Sequence, residues 1–333
     1  MGSAVVTPVR TRFSAAVLLL SGLILSGCAS ELPADVSRAA PATVTVLQPA
    51  PGDLALPKKP GSIRLAIIGD SGRGDEAQNA VAQQMVRWRQ QFPFDVVLML
   101  GDNIYDSHTA ADYRAKFEEP YKALLDAGVT FHAAIGNHDD SNQIRYEKFN
   151  MGGQRYYSFR RRESSIQGGI AGAGARFWAL DSRTLDPEQL EWLSEGLKGS
   201  GSRWKIVFFH HPIYTSGRYT AGASSLRRAL EPVLVNGDAD VVLSGHEHFY
   251  ERTHPQRGIV YFVSGAAGSL RPGDIRPSSL TGRGFDTDYS FMLMEIFDDE
   301  LYFQAISRAG ETVDAGVLRK GRAALTKGTA PSQ

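Results

Sequence analysis

The chain of 333 residues predicts an α/β fold with a mainly parallel sheet, and three observations carry that prediction. Five apolar runs of strand character, residues 65–68, 96–100, 131–135, 205–209 and 241–243, each end in a short loop bearing acidic, amide or imidazole side chains. Amphipathic helical stretches fall between them, where parallel strands need crossovers. Further apolar or alternating runs at 156–159, 176–180, 259–263, 291–296 and 301–306 supply the remaining strands. Two mixed β-sheets stacked face to face and flanked by helices accommodate all of them.

From the amino terminus, Arg10 and Arg12 precede an apolar run at 13–25. That length is ordinary for a signal-peptide core and short of the ~20 residues that span a bilayer. Leu25-Ser26-Gly27-Cys28 then resembles the bacterial lipobox, whose cysteine is acylated and becomes the first mature residue, and Cys28 is the chain's one cysteine. The expected organisation is a lipoprotein signal peptide over 1–27 and an acylated Cys28 leading a disordered tether over 28–60. A catalytic domain over 61–319 and a disordered tail over 320–333 follow. The tether is rich in Ala, Pro and Val and poor in large side chains, a composition that buries little. The expected localisation is extracytoplasmic and membrane-anchored. Ala29 after the cysteine resembles the pattern sorted to the outer membrane, facing the periplasm or the cell surface.

Within the domain, Asp75 with Gln78 forms a helix-start pattern ahead of Ala77, Val81, Met85 and Trp88 at helical spacing. Asp186-Pro187 opens another helix, with Leu190, Leu193 and Leu197 as its buried stripe. A third runs from about Ser224 through Leu226, Leu230 and Leu234, bending or ending near Pro232. Residues 168–175 form a small-residue loop between two strands, read as a hairpin tip.

Five motifs sit at the ends of the parallel strands: Gly69-Asp70-Ser71-Gly72, Gly101-Asp102-Asn103-Ile104-Tyr105, Gly136-Asn137-His138-Asp139, Val207-Phe208-Phe209-His210 and Gly245-His246-Glu247-His248. Carboxyl ends of parallel strands converge on one edge, so these loops can surround one point. Asp70, Asp102, Tyr105, Asn137, His210, His246 and His248 offer oxygen and imidazole nitrogen, which favours iron, manganese or zinc over thiolate-seeking ions. Seven donors exceed the needs of one catalytic ion. They suit a pair about 3.5–4 Å apart, the arrangement used to hydrolyse phosphate esters.

This ordered set resembles the purple acid phosphatases, a branch of the calcineurin-like metallophosphoesterases, over about residues 63–308. The resemblance implies the metallophosphoesterase four-layer sandwich and hydrolysis of phosphate monoesters, with diesters also open, by metal-hydroxide attack. It implies Asp70, Tyr105 and His248 on a ferric ion, Asn137, His210 and His246 on a divalent ion (Fe, Zn or Mn), and Asp102 bridging them. It also implies that His138 assists the leaving group as a catalytic residue. Most metallophosphoesterases carry a histidine where this chain has Gly72, and the gain of Tyr105 marks this branch. A ferric and a divalent ion against two carboxylates, a phenolate and a hydroxide leave about one positive charge to attract a phosphate dianion. A tyrosinate-to-iron colour is expected.

His211 follows a metal-ligand position; if the strand continues, its side chain faces the opposite way, which makes a packing or orienting role as expected as a catalytic one, and it is not assigned to catalysis. Better-known family members carry histidines in the loop that here reads Ile213-Tyr214-Thr215-Ser216-Gly217-Arg218-Tyr219, so Arg218 or Tyr219 are the candidates there for contacting phosphate. Glu247 and Asp139 are expected to orient imidazoles. His132 is expected to be a satisfied core histidine, and His254 lies in the stretch Tyr250-Glu251-Arg252-Thr253-His254-Pro255, expected to pack the site wall; neither is assigned to catalysis. With 36 basic and 36 acidic residues the chain lacks the broad positive field that polyanion binding requires, so nucleic acid is not an expected partner. The partners are a small phosphorylated substrate and, through the lipid anchor, a membrane. The alternative from a different class is a non-catalytic surface lipoprotein that binds phosphate or metal.

Overall fold

Side-chain alternation along single strands sets the layering. In the strand Ile63–Ile68, Leu65 and Ile67 join one buried cluster while Ala66 and Ile68 join another. A strand that is apolar on both faces must be covered on both, which places a sheet on one side and helices on the other. The computed structural model of the protein describes residues 43–50, 53–163 and 174–320.

One seven-stranded sheet runs β1 (Thr43–Val46), β14 (Thr312–Arg319), β13 (Glu300–Ser307), β12 (Ser290–Phe297), β2 (Ile63–Ile68), β3 (Val96–Met99) and β4 (Thr130–Ala133). The other runs β11 (Thr281–Phe285), β9 (Tyr250–Thr253), β10 (Val260–Ser264), β8 (Val241–Ser244), β7 (Trp204–Phe209), β6 (Ala175–Ala179) and β5 (Tyr157–Arg161). Strands β2, β3 and β4 are mutually parallel, as are β6, β7, β8 and β10, and the remaining pairings are antiparallel. Leu65, Leu98, Phe177, Phe208, Leu243 and Phe262 meet between the sheets. Outside the first sheet, Val81, Met85 and Trp88 of the helix Glu76–Gln91 are buried; outside the second, Leu193 and Leu197 of Pro187–Lys198 and Leu230 and Leu234 of Thr220–Asn236. The result is the four-layer α/β sandwich.

Helix starts obey local chemistry. Asp75 accepts from the Gln78 amide at 3.0 Å, and Asp186 accepts from the Gln189 amide at 2.9 Å ahead of Pro187. Pro232 does not end its helix, which continues to Asn236. Losing one backbone bond costs ~3 kcal/mol in a helix interior. Burying Leu230 and Leu234 on either side gains roughly 1.5–3 kcal/mol apiece, enough to carry the helix through.

Strands β9 and β11 carry no apolar signature in sequence. β9 reads Tyr-Glu-Arg-Thr, and its charge is satisfied internally: Arg252 Nε donates to Asp314 on β14 at 2.7 Å, and the Tyr250 hydroxyl donates to the same carboxylate at 2.8 Å. This buried pair ties the two sheets together.

The expected tether over 28–60 is corrected for its second half. β1 pairs antiparallel with β14, from Thr43 opposite Arg319 to Val46 opposite Gly316. Leu56 is buried. The buried Gln304 side chain accepts from the Ala55 amide at 2.8 Å and donates to the Asp53 carbonyl at 2.9 Å, while buried Glu295 accepts from the Lys58 amide, the Lys59 amide and the Ser62 hydroxyl. Composition suggested a solvated linker because few large apolar side chains are present. What holds the segment instead is backbone hydrogen bonding to two buried polar side chains, which composition does not register. The domain therefore begins at β1 rather than at residue 61, and its last strand ends at Arg319. The signal segment, Cys28 and residues 321–333 lie outside the described residues. So does the connection 164–173, whose flanks β5 and β6 pair as an antiparallel hairpin.

His132 is only partly satisfied. Its ring stacks on Phe159 at 3.8 Å, but Nδ1 is buried without a hydrogen-bond partner among the described residues, and burial lowers its pKa from 6.5 to about 4. A depressed histidine contributes stability above its unfolded value that is lost as pH falls.

A chain begun at Gly61 should be less stable than one begun at Pro41 by about 3 kcal/mol, because Glu295 and Gln304 lose their backbone partners and Leu56 its burial. A melting temperature lower by about 6–12 °C in the shorter form is the expected reading. Replacing His132 with Phe keeps the stack and removes the proton trap, so urea unfolding should show a smaller loss of stability between pH 6.5 and 4 than in the parent.

Candidate metal centre

The parallel strands deliver their loops to one edge, between the two sheets. Asp70 follows β2, Asp102 follows β3, Asn137 and His138 follow β4, His210 and His211 follow β7, and His246 and His248 follow β8. Three of these residues, Asp70, Asp102 and His246, adopt left-handed backbone with φ of 55°, 51° and 69°. Such conformations cost energy in non-glycine residues and persist where surroundings fix them. Here the loops fix one another. The Asp70 amide donates to the Gly101 carbonyl at 3.0 Å, the Gly72 amide to the Asp102 carbonyl at 3.2 Å, the His246 amide to Asp70 Oδ2 at 2.8 Å and the His138 amide to Asp102 Oδ1 at 2.9 Å.

The seven sequence-predicted donors come together as two adjoining groups. In one, the Tyr105 hydroxyl lies 3.3 Å from Asp70 Oδ1 and 3.4 Å from His248 Nε2, and His248 Nε2 lies 3.3 Å from Asp70 Oδ1. In the other, His210 Nε2 lies 3.0 Å from Asn137 Oδ1 and 3.2 Å from His246 Nδ1. Asp102 stands between them: its Oδ1 is 3.4 Å from His210 Nε2, and its carboxylate lies within 4.8 Å of donor atoms of Asp70 and His248. His210 Nδ1 meets the Leu100 carbonyl at 3.0 Å, which leaves Nε2 facing the centre.

Electrostatics favour cations here. Asp70 is fully buried, and burial together with the neighbouring Asp102 charge raises its pKa well above the carboxylate range. Burial holds His246 down to about 2 and His248 down to about 4, and lowers His210 as well. The Tyr105 phenol is raised by burial, then by Asp70 and Asp102. Buried carboxylates in mutual repulsion beside unprotonated imidazoles are a set that positive ions would relieve, and its oxygen and nitrogen donors fit two hard or borderline cations.

Packing accounts for Gly72 as the partner of Tyr105. A Cβ at position 72 would fall 2.0 Å from the Asn103 carbonyl oxygen, and the Gly72 carbonyl accepts from the Tyr105 amide at 3.0 Å. The loop that brings Tyr105 inward occupies the space a side chain at position 72 would need. Gly136 is constrained alike, since its Cβ would meet Asp102 Oδ1 at 2.1 Å.

Several expectations change. β7 ends at Phe209, so strand alternation does not govern His211; its ring lies 4.5 Å from that of His246, and its Nδ1 lies 2.9 Å from Ser182 Oγ. With His210 and His246 it forms a group of ring nitrogens within 4.8 Å. Among the described residues Asp139 bonds no imidazole: it accepts from the amides of Asn103, Ile104 and Gly136 and from the Gln143 side chain, fastening the second and third motif loops together. Burial and the Asp102 charge raise its pKa to about 7. Glu247 likewise accepts from the Tyr219 amide at 2.9 Å and the Thr215 hydroxyl at 3.3 Å, pinning the 215–219 loop. Tyr219 is exposed with its ring 4.3 Å from that of His246, whereas Arg218 pairs with Asp274. His138 is exposed at the mouth, its ring 4.8 Å from that of Tyr105. Of the stretch from Tyr250 to Pro255, residues 250–253 are buried in β9, while His254 is exposed. Sequence reasoning missed Arg73, which stacks on the Tyr105 ring at 3.7 Å; its position one residue beyond the first motif was the available signal.

The family model for calcineurin-like phosphoesterase matches residues 63–250, and the chain belongs to that family. Purple acid phosphatase 17 of Arabidopsis thaliana is 26% identical over 286 residues, covering 74% of this chain and 84% of the relative. Among solved structures, GAP50, described as the anchor in the inner membrane complex of Plasmodium, superposes with a TM-score of 0.66 at 18% identity, covering 78% of this chain and 90% of its own. The purple acid phosphatase PPD1 from yellow lupin seeds gives 0.58 at 18% identity, covering 78% and 54%. The protein is therefore a phosphoesterase, a hydrolase by class.

Replacing Gly72 with Ala should destabilise the chain by about 1–3 kcal/mol, since the added methyl must displace the Asn103–Tyr105 backbone. Urea unfolding reads the stability, and metal stoichiometry after dialysis should fall in step with the displaced Tyr105.

Proposed function

We propose that the protein is a purple-acid-phosphatase-like, binuclear-metal phosphatase acting on small phosphate monoesters, with diesters a second class to assay. The observation that carries this reading is the position of Asp102 between two donor groups, Asp70, Tyr105 and His248 on one side and Asn137, His210 and His246 on the other. The first group, with its phenol, suits a ferric ion and the second a divalent ion (Fe, Zn or Mn), with Asp102 shared. The named relatives, acid phosphatases among them, support the reaction class. When bound, two such cations supply positive charge to the phosphate oxygens and acidify water.

The chain's own residues do the rest. Leu100 fixes the His210 tautomer through its carbonyl, and the His246 amide holds Asp70 Oδ2 turned inward. Asp139 and Glu247 keep the surrounding loops in place without entering the donor set. His138, exposed at the mouth and anchored by its amide on Asp102, donates a proton to the departing alkoxide. Tyr219 closes one side of the opening beside His246.

The basic and apolar amino-terminal stretch with Leu25-Ser26-Gly27-Cys28 supports an acylated, extracytoplasmic lipoprotein whose domain is carried on a short linker. Among the described residues no helix is long and apolar enough to cross a membrane.

Purified protein should contain about two metal ions per chain, one of them iron, and release phosphate from p-nitrophenyl phosphate. Asp102→Asn should lower kcat by at least about 10²-fold; full activity in that variant would falsify the shared position. Tyr105→Phe should bleach the visible band while the protein stays folded. Cys28→Ser should move the protein from the membrane fraction to the soluble one, and unchanged fractionation would remove the lipid anchor.

A further inference from the structure

Beside the donor set, on the side of Tyr105 and His248, lies an open groove of ≈ 370 Å³ lined by Arg73, Asp75, His248, Ser269, Arg271 and Tyr289 among others. That volume is in the range of small-ligand sites. Its chemistry is unusual for an exposed surface. Arg73 is exposed, lies over the Tyr105 ring and donates from Nε to Ser269 Oγ at 3.0 Å. Arg271 is held to the same centre by its backbone, whose amide donates to the His248 carbonyl at 3.1 Å, and its guanidinium stands 5.6 Å over the Tyr219 ring. One of its terminal nitrogens, Nη1, is buried without a hydrogen-bond partner among the described residues. A buried donor of a charged group left unmatched is costly, and an anionic ligand would satisfy it.

The acid in the groove, Asp75, accepts from the Gln78 amide, capping a helix, and forms no ion pair with either arginine among the described residues. The loops bearing the two arginines are packed on each other: a Cβ at Gly268 would fall 2.4 Å from the Ser71 carbonyl oxygen. Both charges reach the donor set, Arg271 acting on Asp70 and His248, and Arg73 on Tyr105 and His248.

We propose that Arg73 and Arg271, with Ser269, form an anion subsite next to the metal centre that selects substrates carrying a second phosphate or carboxylate beside the scissile phosphate. The proposal rests on the phosphatase reading, because the scissile phosphate is what occupies the centre. The substrate class is then a diphosphate or a phosphorylated acid, rather than a phosphate on a neutral or purely apolar leaving group. Guanidinium forks match phosphate and carboxylate oxygens in pairs, which gives such a subsite selectivity as well as attraction.

The test uses the full chain purified with its metals and three ligands that are not turned over: methylenediphosphonate, phosphonoacetate and methylphosphonate, titrated calorimetrically. The parent should bind at least one doubly anionic ligand about tenfold or more tightly than methylphosphonate, and Arg73→Gln and Arg271→Gln should each remove most of that preference. Preference for methylenediphosphonate alone assigns the subsite to phosphate, and equal preference for phosphonoacetate assigns it to either anion. Arg271→Lys, which keeps the charge, should retain part of it. Exposed Arg73 carries the test should Arg271→Gln misfold. No preference in the parent, or a preference intact in both glutamine variants, overturns the subsite. Hydrolysis of p-nitrophenyl phosphate by the same parent preparation is scored separately: preference without turnover sinks the phosphatase reading alone, and turnover without preference sinks the subsite alone.

Discussion

Asp70 and Asp102 are two carboxylates buried at the ends of neighbouring strands, with their loops hydrogen-bonded to each other and their charges uncompensated by any buried lysine or arginine in direct contact among the described residues. Burial and mutual repulsion make that arrangement unfavourable unless positive charge is supplied. Much of the site follows from meeting this condition. Both aspartates take left-handed backbone, Gly136 and Gly245 leave room for their oxygens, and unprotonated imidazoles approach from the opposite sheet.

The two-sheet sandwich is what makes the condition attainable. Donors on β2, β3 and β4 come from one sheet and donors on β7 and β8 from the other, so the centre sits where the two parallel edges meet. Rigidity comes from below, through the shared core of Leu65, Leu98, Phe208 and Leu243, and from the buried Arg252–Asp314 pair that joins the far side of the sheets. A pair of this kind contributes little net stability but penalises sliding of one sheet on the other, because separation would leave either charge alone in the interior.

Around the donors, polar side chains that look catalytic by position turn out to hold loops. Asp139 gathers three backbone amides and Gln143; Glu247 gathers the Tyr219 amide and the Thr215 hydroxyl. Loops at strand ends carry unpaired amides, and an acid that satisfies them fixes donor positions without entering the donor set. The exchange of a side chain at position 72 for the inward Tyr105 is the same kind of coupling, since one loop fills the volume the other vacates.

Residue identity alone determined the five strand–loop motifs, the donor types and their order, the helix caps at Asp75 and Asp186, and the apolar strands of the two-sheet core. These are local, repeated along the chain at the periods of strand and helix, and so are readable in one dimension. Tertiary structure alone decided what depends on partners distant in sequence. Examples are the pairing of β1 with β14, the capture of residues 53–62 by Gln304 and Glu295, and the charged strand β9 satisfied by Asp314. The turn of His211 toward His246, and the meeting of Arg73 and Arg271 at one groove, belong here too. In each, a polar group's role is set by which buried group it meets across the fold, and no local pattern encodes that meeting.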